Sequence, residues 1–227
     1  PAGFSDYQLT DDGKQILLPR SGKLYRAERE SRKVRERKTG KGTLLDPKLS
    51  PDGSKVAYVL NHDLFAYDLA ADTEMQVTFG GTEVRTHGLA EFVAQEEMAR
   101  FTGYWWSPDS KSFAYEEADH EGVEQWFVAD PTKPGQPPLP QFYPRPGKKN
   151  VSVKLGVVGL DGGKTVWVDW DRSKFEYLAA VKWDKAGGLT VQLQDRKQQV
   201  LSLNRVDPKT GKLTELLEET DSAWVNL

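Results

Sequence analysis

Ser50-Pro51-Asp52-Gly53-Ser54-Lys55-Val56-Ala57-Tyr58 returns later in the chain as Ser107-Pro108-Asp109-Ser110-Lys111-Ser112-Phe113-Ala114-Tyr115. An earlier copy reads Asp12-Gly13-Lys14-Gln15-Ile16-Leu17-Leu18, and a weaker one Asp161-Gly162-Gly163-Lys164-Thr165-Val166-Trp167. Each copy is a tight turn feeding an apolar strand. Proline presets φ at the second turn position, and Asp-Gly tolerates the positive φ that follows. Asp12 and Asp52 lie 40 residues apart, close to the roughly 40–45 residues of a four-stranded propeller blade. The later intervals are longer, and each holds a visible insertion: residues 89–102 in one, the Pro-rich residues 131–146 in the other.

Between these turns the chain reads as short strands of alternating character, with turns at Asn61-His62-Asp63, Ala71-Asp72, 184–188 and 207–211. The prediction is an all-β fold: a partial β-propeller of about four four-stranded blades, covering residues 4–45, 46–88, 103–170 and 175–220. One short helix is expected near 91–100, within an inserted segment at 89–102. A projecting arm is expected over 119–142. Propellers close with about four to eight blades. The ragged repeat lengths argue for part of a larger ring. An open arc would leave sheet faces uncovered, which favours self-association.

The 227 residues are 37% hydrophobic and 29% charged, with a net charge of −3. That balance gives no argument for nucleic acid or an anionic membrane. Residues 26–41 are rich in Arg and Lys, but Glu28, Glu30 and Glu36 interrupt them, which reads as a solvated outer strand rather than a nucleic-acid patch. The absence of cysteine excludes disulfides and thiolate metal sites. No run approaches the roughly 20 apolar residues of a membrane span. The Asp residues do not form a calcium-loop pattern, so no metal or cofactor is expected. The first residue is Pro rather than Met, so the chain is expected to begin inside a longer precursor.

Residues 89–109, LAEFVAQEEMARFTGYWWSPD, carry the candidate site. Glu96 and Glu97 are adjacent on the one segment with helical spacing. Two carboxylates together suit a cation with several hydrogen-bond donors, such as a peptide's free amino terminus, through charge-assisted bonds. Adjacent residues of a helix point about 100° apart, so a shared cation would sit at the helix end or flank. Most Glu-Glu pairs are simply solvated, and the flanking sequence is what lifts this one. Trp105 and Trp106 alternate on a strand and read as packing residues on its two faces.

That flanking sequence, Glu91-Phe92-Val93-Ala94-Gln95-Glu96-Glu97-Met98 and then Gly103-Tyr104-Trp105-Trp106-Ser107-Pro108-Asp109, resembles the amino-terminal propeller of the dipeptidyl peptidase IV family of serine peptidases, in its bacterial form. Tyr143-Pro144-Arg145-Pro146-Gly147, Val153-Lys154-Leu155-Gly156-Val157-Val158, residues 189–196 and Ala223-Trp224-Val225-Asn226 extend the resemblance in the same order. It implies an eight-bladed propeller in front of an α/β-hydrolase domain that carries the catalytic Ser, Asp and His. It also implies that Glu96 and Glu97 bind the substrate amine, so that a dipeptide is released after Pro or Ala at the second position. A family arginine that contacts the substrate's second carbonyl has its nearest candidate in Arg20, where the local sequence departs from the family pattern. Residues 119–142 would be the arm of a homodimer, with Trp126, Phe127 and Val128 as contacts. Bacterial relatives suggest a periplasmic or otherwise exported protein.

No Gly-x-Ser-x-Gly nucleophile elbow occurs in the chain, and His62, His87 and His120 have no triad context. This segment by itself is therefore expected to bind and measure substrate and to be inactive without the hydrolase domain. The alternative is a non-catalytic propeller that binds a protein or peptide partner. A related oligopeptidase that cuts within peptides would have no need of Glu96 and Glu97.

Overall fold

The computed structural model describes residues 7–227. The repeated turn builds each sheet from local chemistry. Ser50 Oγ donates to Asp52 Oδ1 (2.6 Å) and accepts from Lys55 N–H (2.9 Å), while Ser50 N–H donates to Lys55 O. Ser107, Asp109 and Ser112 repeat this closure. Thr10 takes the serine's place in the first copy, donating to Asp12 Oδ1 and accepting from Gln15 N–H. The position after Pro-Asp takes a positive φ: Gly53 at 68° and Ser110 at 61°, a conformation for which glycine is the default residue.

Four antiparallel sheets follow in chain order. The first contains β1 (Gln8–Leu9), β2 (Gln15–Arg20), β3 (Lys23–Glu28) and β4 (Val34–Glu36). The second contains β5 (Leu45–Leu49), β6 (Lys55–Leu60), β7 (Asp63–Asp68) and β8 (Thr73–Gln76). The third begins with β9 (Arg85–His87), runs through α1 (Phe92–Glu97), and continues with β10 (Tyr104–Trp106) and β11 (Ser112–Asp119). A separate hairpin, β12 (Gln125–Val128) with β13 (Leu139–Phe142), precedes β14 (Ser152–Gly159) and β15 (Gly162–Trp167), which complete the third sheet. The fourth contains β16 (Tyr177–Asp184), β17 (Gly188–Gln194), β18 (Val200–Val206) and β19 (Leu213–Thr220). Strands β6 and β18 each run up to an expected turn, at residues 61–63 and 207–211, and α1 lies inside the segment expected to be helical. The fold is all-β, a part of a propeller.

The central strands of the second and third sheets, β6, β7, β11 and β14, are buried on both faces, and their period of two assigns alternate residues to opposite seams. Val56, Tyr58 and Leu60 of β6 join Leu17 and Leu24 in the core between the first and second sheets. Ala57 and Val59 join Tyr104, Trp106, Phe113 and Tyr115 between the second and third. Ala114 and Ala118 of β11 join Leu155, Leu178, Leu189 and Val191 between the third and fourth. Trp106 and Trp105 pack into these last two cores respectively, as alternation requires. At the outer edges the pattern fails: β4 is exposed throughout, as is β19 beyond Leu213. The basic run of residues 26–41 starts on β3, passes through that exposed β4 and continues into the loop beyond it. Among the described residues no helix is long and apolar enough to cross a membrane.

Candidate functional site

One edge of the third sheet is an interrupted strand. Strands β9 and β10 both pair antiparallel with β11, end to end: His87 lies opposite Glu117, and Tyr104 opposite Tyr115. Glu116 falls at the break. Its carbonyl accepts from Gly88 N–H (2.8 Å) and its own N–H donates to Gly103 O (2.7 Å). Between Gly88 and Gly103 the chain leaves the sheet, closes its own base with a Leu89–Thr102 bridge, and forms α1. Gly103 is needed for this return: a Cβ there would lie 2.3 Å from the Leu89 carbonyl carbon.

A helix of six residues has little stability of its own, so its ends are held by other groups. Glu91 is the N-cap, and its carboxylate accepts from Val93 N–H (2.7 Å) and Ala94 N–H (2.8 Å). Burial raises the Glu91 pKa, and these backbone bonds oppose the rise. Ala94 is buried beneath the helix. Ala99, at φ 50°, turns the chain out of it, and Arg100 N–H donates back to Ala94 O (2.9 Å). The helix packs beside β16, and the Phe92 ring lies 4.8 Å from that of Tyr143, whose ring is 4.9 Å from Trp126 at the foot of the β12–β13 hairpin.

Beneath the helix lies a set of buried charges. Glu116, fully buried, accepts from Glu91 N–H through Oε1 (3.2 Å) and faces Arg100 Nη1 through Oε2 (2.6 Å). That second contact is ionic and not aligned as a hydrogen bond. Arg100 Nη1 donates instead to Thr102 O (3.0 Å), Nε donates to Leu178 O of the fourth sheet (3.2 Å), and Nη2 has no acceptor. Burial lifts the Glu116 pKa to about 7 against the opposing pull of Arg100.

Glu96 and Glu97 are the last two helical residues, and both are exposed. Among the described residues neither carboxylate accepts a hydrogen bond or forms an ion pair. Glu97 stands where two clefts meet. One, of about 360 Å³, runs past Phe92, Tyr143, Tyr177 and Arg196; the other, of about 320 Å³, past Gln194, Gln198 and Trp224. An unpaired acidic pair at a helix end can receive a cation that brings its own donors. Arg20 is elsewhere: it is exposed at the β2–β3 turn of the first sheet, opposite Lys23.

The chain matches the family described as the dipeptidyl peptidase IV N-terminal region over residues 9–227. It belongs to that family. The inactive dipeptidyl peptidase 10 of Rattus norvegicus is 25% identical over 181 residues, which cover 77% of this chain and 23% of the rat protein. Dipeptidyl peptidase 8 of Homo sapiens is 24% identical over 277 residues, covering all of this chain and 30% of the human protein. The crystal structure of Porphyromonas gingivalis dipeptidyl peptidase 4 superposes with a TM-score of 0.86 over 97% of this chain and 33% of that one, at 24% identity. That agreement establishes the partial propeller. This chain spans about a quarter to a third of the relatives it matches.

Glu91, Arg100 and Glu116 escaped the sequence reading. One signal pointed to Glu116 and Glu117: they are consecutive charges in Phe113-Ala114-Tyr115-Glu116-Glu117-Ala118. A strand buried on both faces can hold a charge only where it is paired.

Proposed function

We propose that this chain is the part of a serine dipeptidyl peptidase that gates the substrate and anchors its amino terminus, with release of Xaa-Pro or Xaa-Ala dipeptides by a hydrolase domain elsewhere in the parent protein. The observation that carries the proposal is the Glu96–Glu97 pair: exposed, unpaired, at the end of a helix clamped from below, in a chain of this family. A peptide ammonium has three donors and a pKa near 8, so it is charged at neutral pH and can bond to both carboxylates. Holding the amine at a set distance from the nucleophile makes the site a ruler. An N-acetylated peptide would leave both acids unpaired, and sites built for hydrogen bonding discriminate strongly on that ground.

The same reading makes the β12–β13 hairpin a dimer arm. It pairs only with itself, and Trp126, Phe127, Val128 and Leu139 are exposed on it. It also makes the parent a periplasmic or otherwise exported protein and keeps Arg20 as a candidate contact for the substrate carbonyl.

A second reading has support from the rat relative, whose name describes it as inactive: a propeller that binds a protein or peptide and cleaves nothing. The test uses the intact parent protein with Gly-Pro-p-nitroanilide, its N-acetylated form, and a Glu96→Gln/Glu97→Gln variant. The anchor reading expects the free-amine substrate to be cut, the acetylated one to be refused, and the variant to lose about a hundredfold or more in kcat/KM, since charge-assisted bonds contribute about 1.5–3 kcal/mol each. Equal cleavage of both substrates would refute the anchor. Cleavage of neither would favour the binding module.

A further inference from the structure

We propose that Glu116 and Arg100 are positioning residues for the Glu96–Glu97 pair: one buried carboxylate and one buried guanidinium tie both ends of α1 to two sheets and so set where the acidic pair stands. The inference rests on the anchor reading given above.

The geometry is specific to the excursion. Residue 116 is the point on β11 where β9 stops and β10 begins. Its backbone bonds to both lips of the gap, at Gly88 and Gly103. Its side chain reaches both ends of the helix, Oε1 at the N-cap backbone and Oε2 at Arg100 just past the last turn. Arg100 then carries the connection across the seam to Leu178 O in β16, and back to Thr102 O at the base of the excursion. With Glu91 capping the N-terminus, α1 is pinned at both ends.

Stability alone is a poor reason for this arrangement. Burying two charges carries a large desolvation penalty, and well-packed apolar residues of similar volume often serve the fold as well or better. The flanking residues on the same face of β11, Ala114 and Ala118, are apolar and belong to the core. At Glu116 and Arg100 the fold instead leaves Arg100 Nη2 and Glu116 Oε2 without hydrogen bonds. What the charged pair provides, and an apolar pair would lack, is directional attachment of the helix that presents Glu96 and Glu97. Displacement of a binding group by about 1 Å can cost up to a hundredfold in rate.

The experiment measures KM, kcat and Tm of the intact parent protein on Gly-Pro-p-nitroanilide. Glu116→Gln keeps an acceptor for Glu91 N–H but removes the charge facing Arg100. Arg100→Lys keeps the charge but loses the fork that reaches Leu178. Each is expected to raise KM about tenfold or more, with a smaller change in kcat. Glu117→Gln is the matched control: the same strand, also buried, on the opposite face. It should lower Tm and leave KM alone. Introduced into a Glu96→Gln/Glu97→Gln background, Arg100→Lys should add no further rise, because its effect acts through the pair.

An unchanged KM in both Glu116→Gln and Arg100→Lys overturns the proposal. So does a rise in Glu117→Gln equal to theirs, which would report general destabilisation, and so does a failure of both variants to fold, which would assign the pair to the fold. If the Glu96→Gln/Glu97→Gln variant itself keeps the wild-type KM, the anchor reading falls first and takes the positioning role with it.

Discussion

Two neighbouring seams of this molecule bury charge on opposite faces of one strand, and they do so differently. Glu117 of β11 faces the second sheet. There His87 is buried between two carboxylates, Nδ1 at 2.6 Å from Asp63 and Nε2 at 3.3 Å from Glu117. Both carboxylates have further partners. Asp63 accepts from Thr78 Oγ1 and Gly81 N–H, and Glu117 accepts from Lys154 Nζ (2.8 Å). Glu116, the next residue back, faces the fourth sheet, where atoms of both Glu116 and Arg100 remain without hydrogen bonds. A saturated cluster acts as a clamp between sheets. An unsaturated one is costly, and it underlies the segment that carries the candidate site.

The protonation states follow from the same contrast. Two carboxylates on the two ring nitrogens are both satisfied only by an imidazolium. Burial pushes the His87 pKa down, but the bonds to Asp63 and Glu117 outweigh it and lift the group to about 9. The bond from His87 in turn holds Glu117 down at about 2 in spite of burial. At Glu116 burial prevails, and its pKa rises to about 7.

The comparison can be broken in four ways, taken here from the largest expected effect. Glu116→Ala strands the buried Arg100 charge and removes the shared anchor of α1. Urea unfolding of the intact protein should show a loss of about 3–5 kcal/mol. His87→Leu removes one cation from between Asp63 and Glu117, but each keeps other donors, so the expected loss is smaller, about 1.5–3 kcal/mol. A larger loss for His87→Leu than for Glu116→Ala would reverse the ranking of the two seams.

A pH series on the wild-type protein sharpens the same point. A histidine whose pKa is raised from 6.5 to about 9 contributes stability that is complete below about 6.5 and disappears as pH rises through about 9. Glu117, lowered from 4.5 to about 2, contributes stability that is present above 4.5 and disappears as pH falls through about 2. The alkaline loss should be absent in His87→Leu; if it persists unchanged, the imidazolium assignment is wrong. The smallest effect belongs to Lys154→Met. Lys154 sits at the rim with 40% of its side chain exposed, beside Glu117 and over the Trp167 ring. Exposed pairs contribute about 0–1 kcal/mol, so a Tm shift beyond a few degrees would show that the clamp depends on its rim.

The sequence by itself determined the strands, the turns and the acidic pair. Those are local matters. The Ser/Thr–Asp turn closes within six residues, through bonds such as Ser50 to Lys55 and Thr10 to Gln15. The period-two alternation of β6 and β11 states that both faces are covered. Glu96 and Glu97 stood out because they lie on the one helical segment, beside a stretch of family character. The tertiary structure decided what surrounds them. That Glu116 stands opposite the gap depends on the register of β11 against both β9 and β10. That Arg100 reaches Leu178 depends on the packing of the fourth sheet against the third. That position 103 admits only glycine depends on how closely Leu89 passes. Such partners are separated in sequence by tens of residues, and pairing at that range is set by the packing of whole sheets, which local composition does not encode.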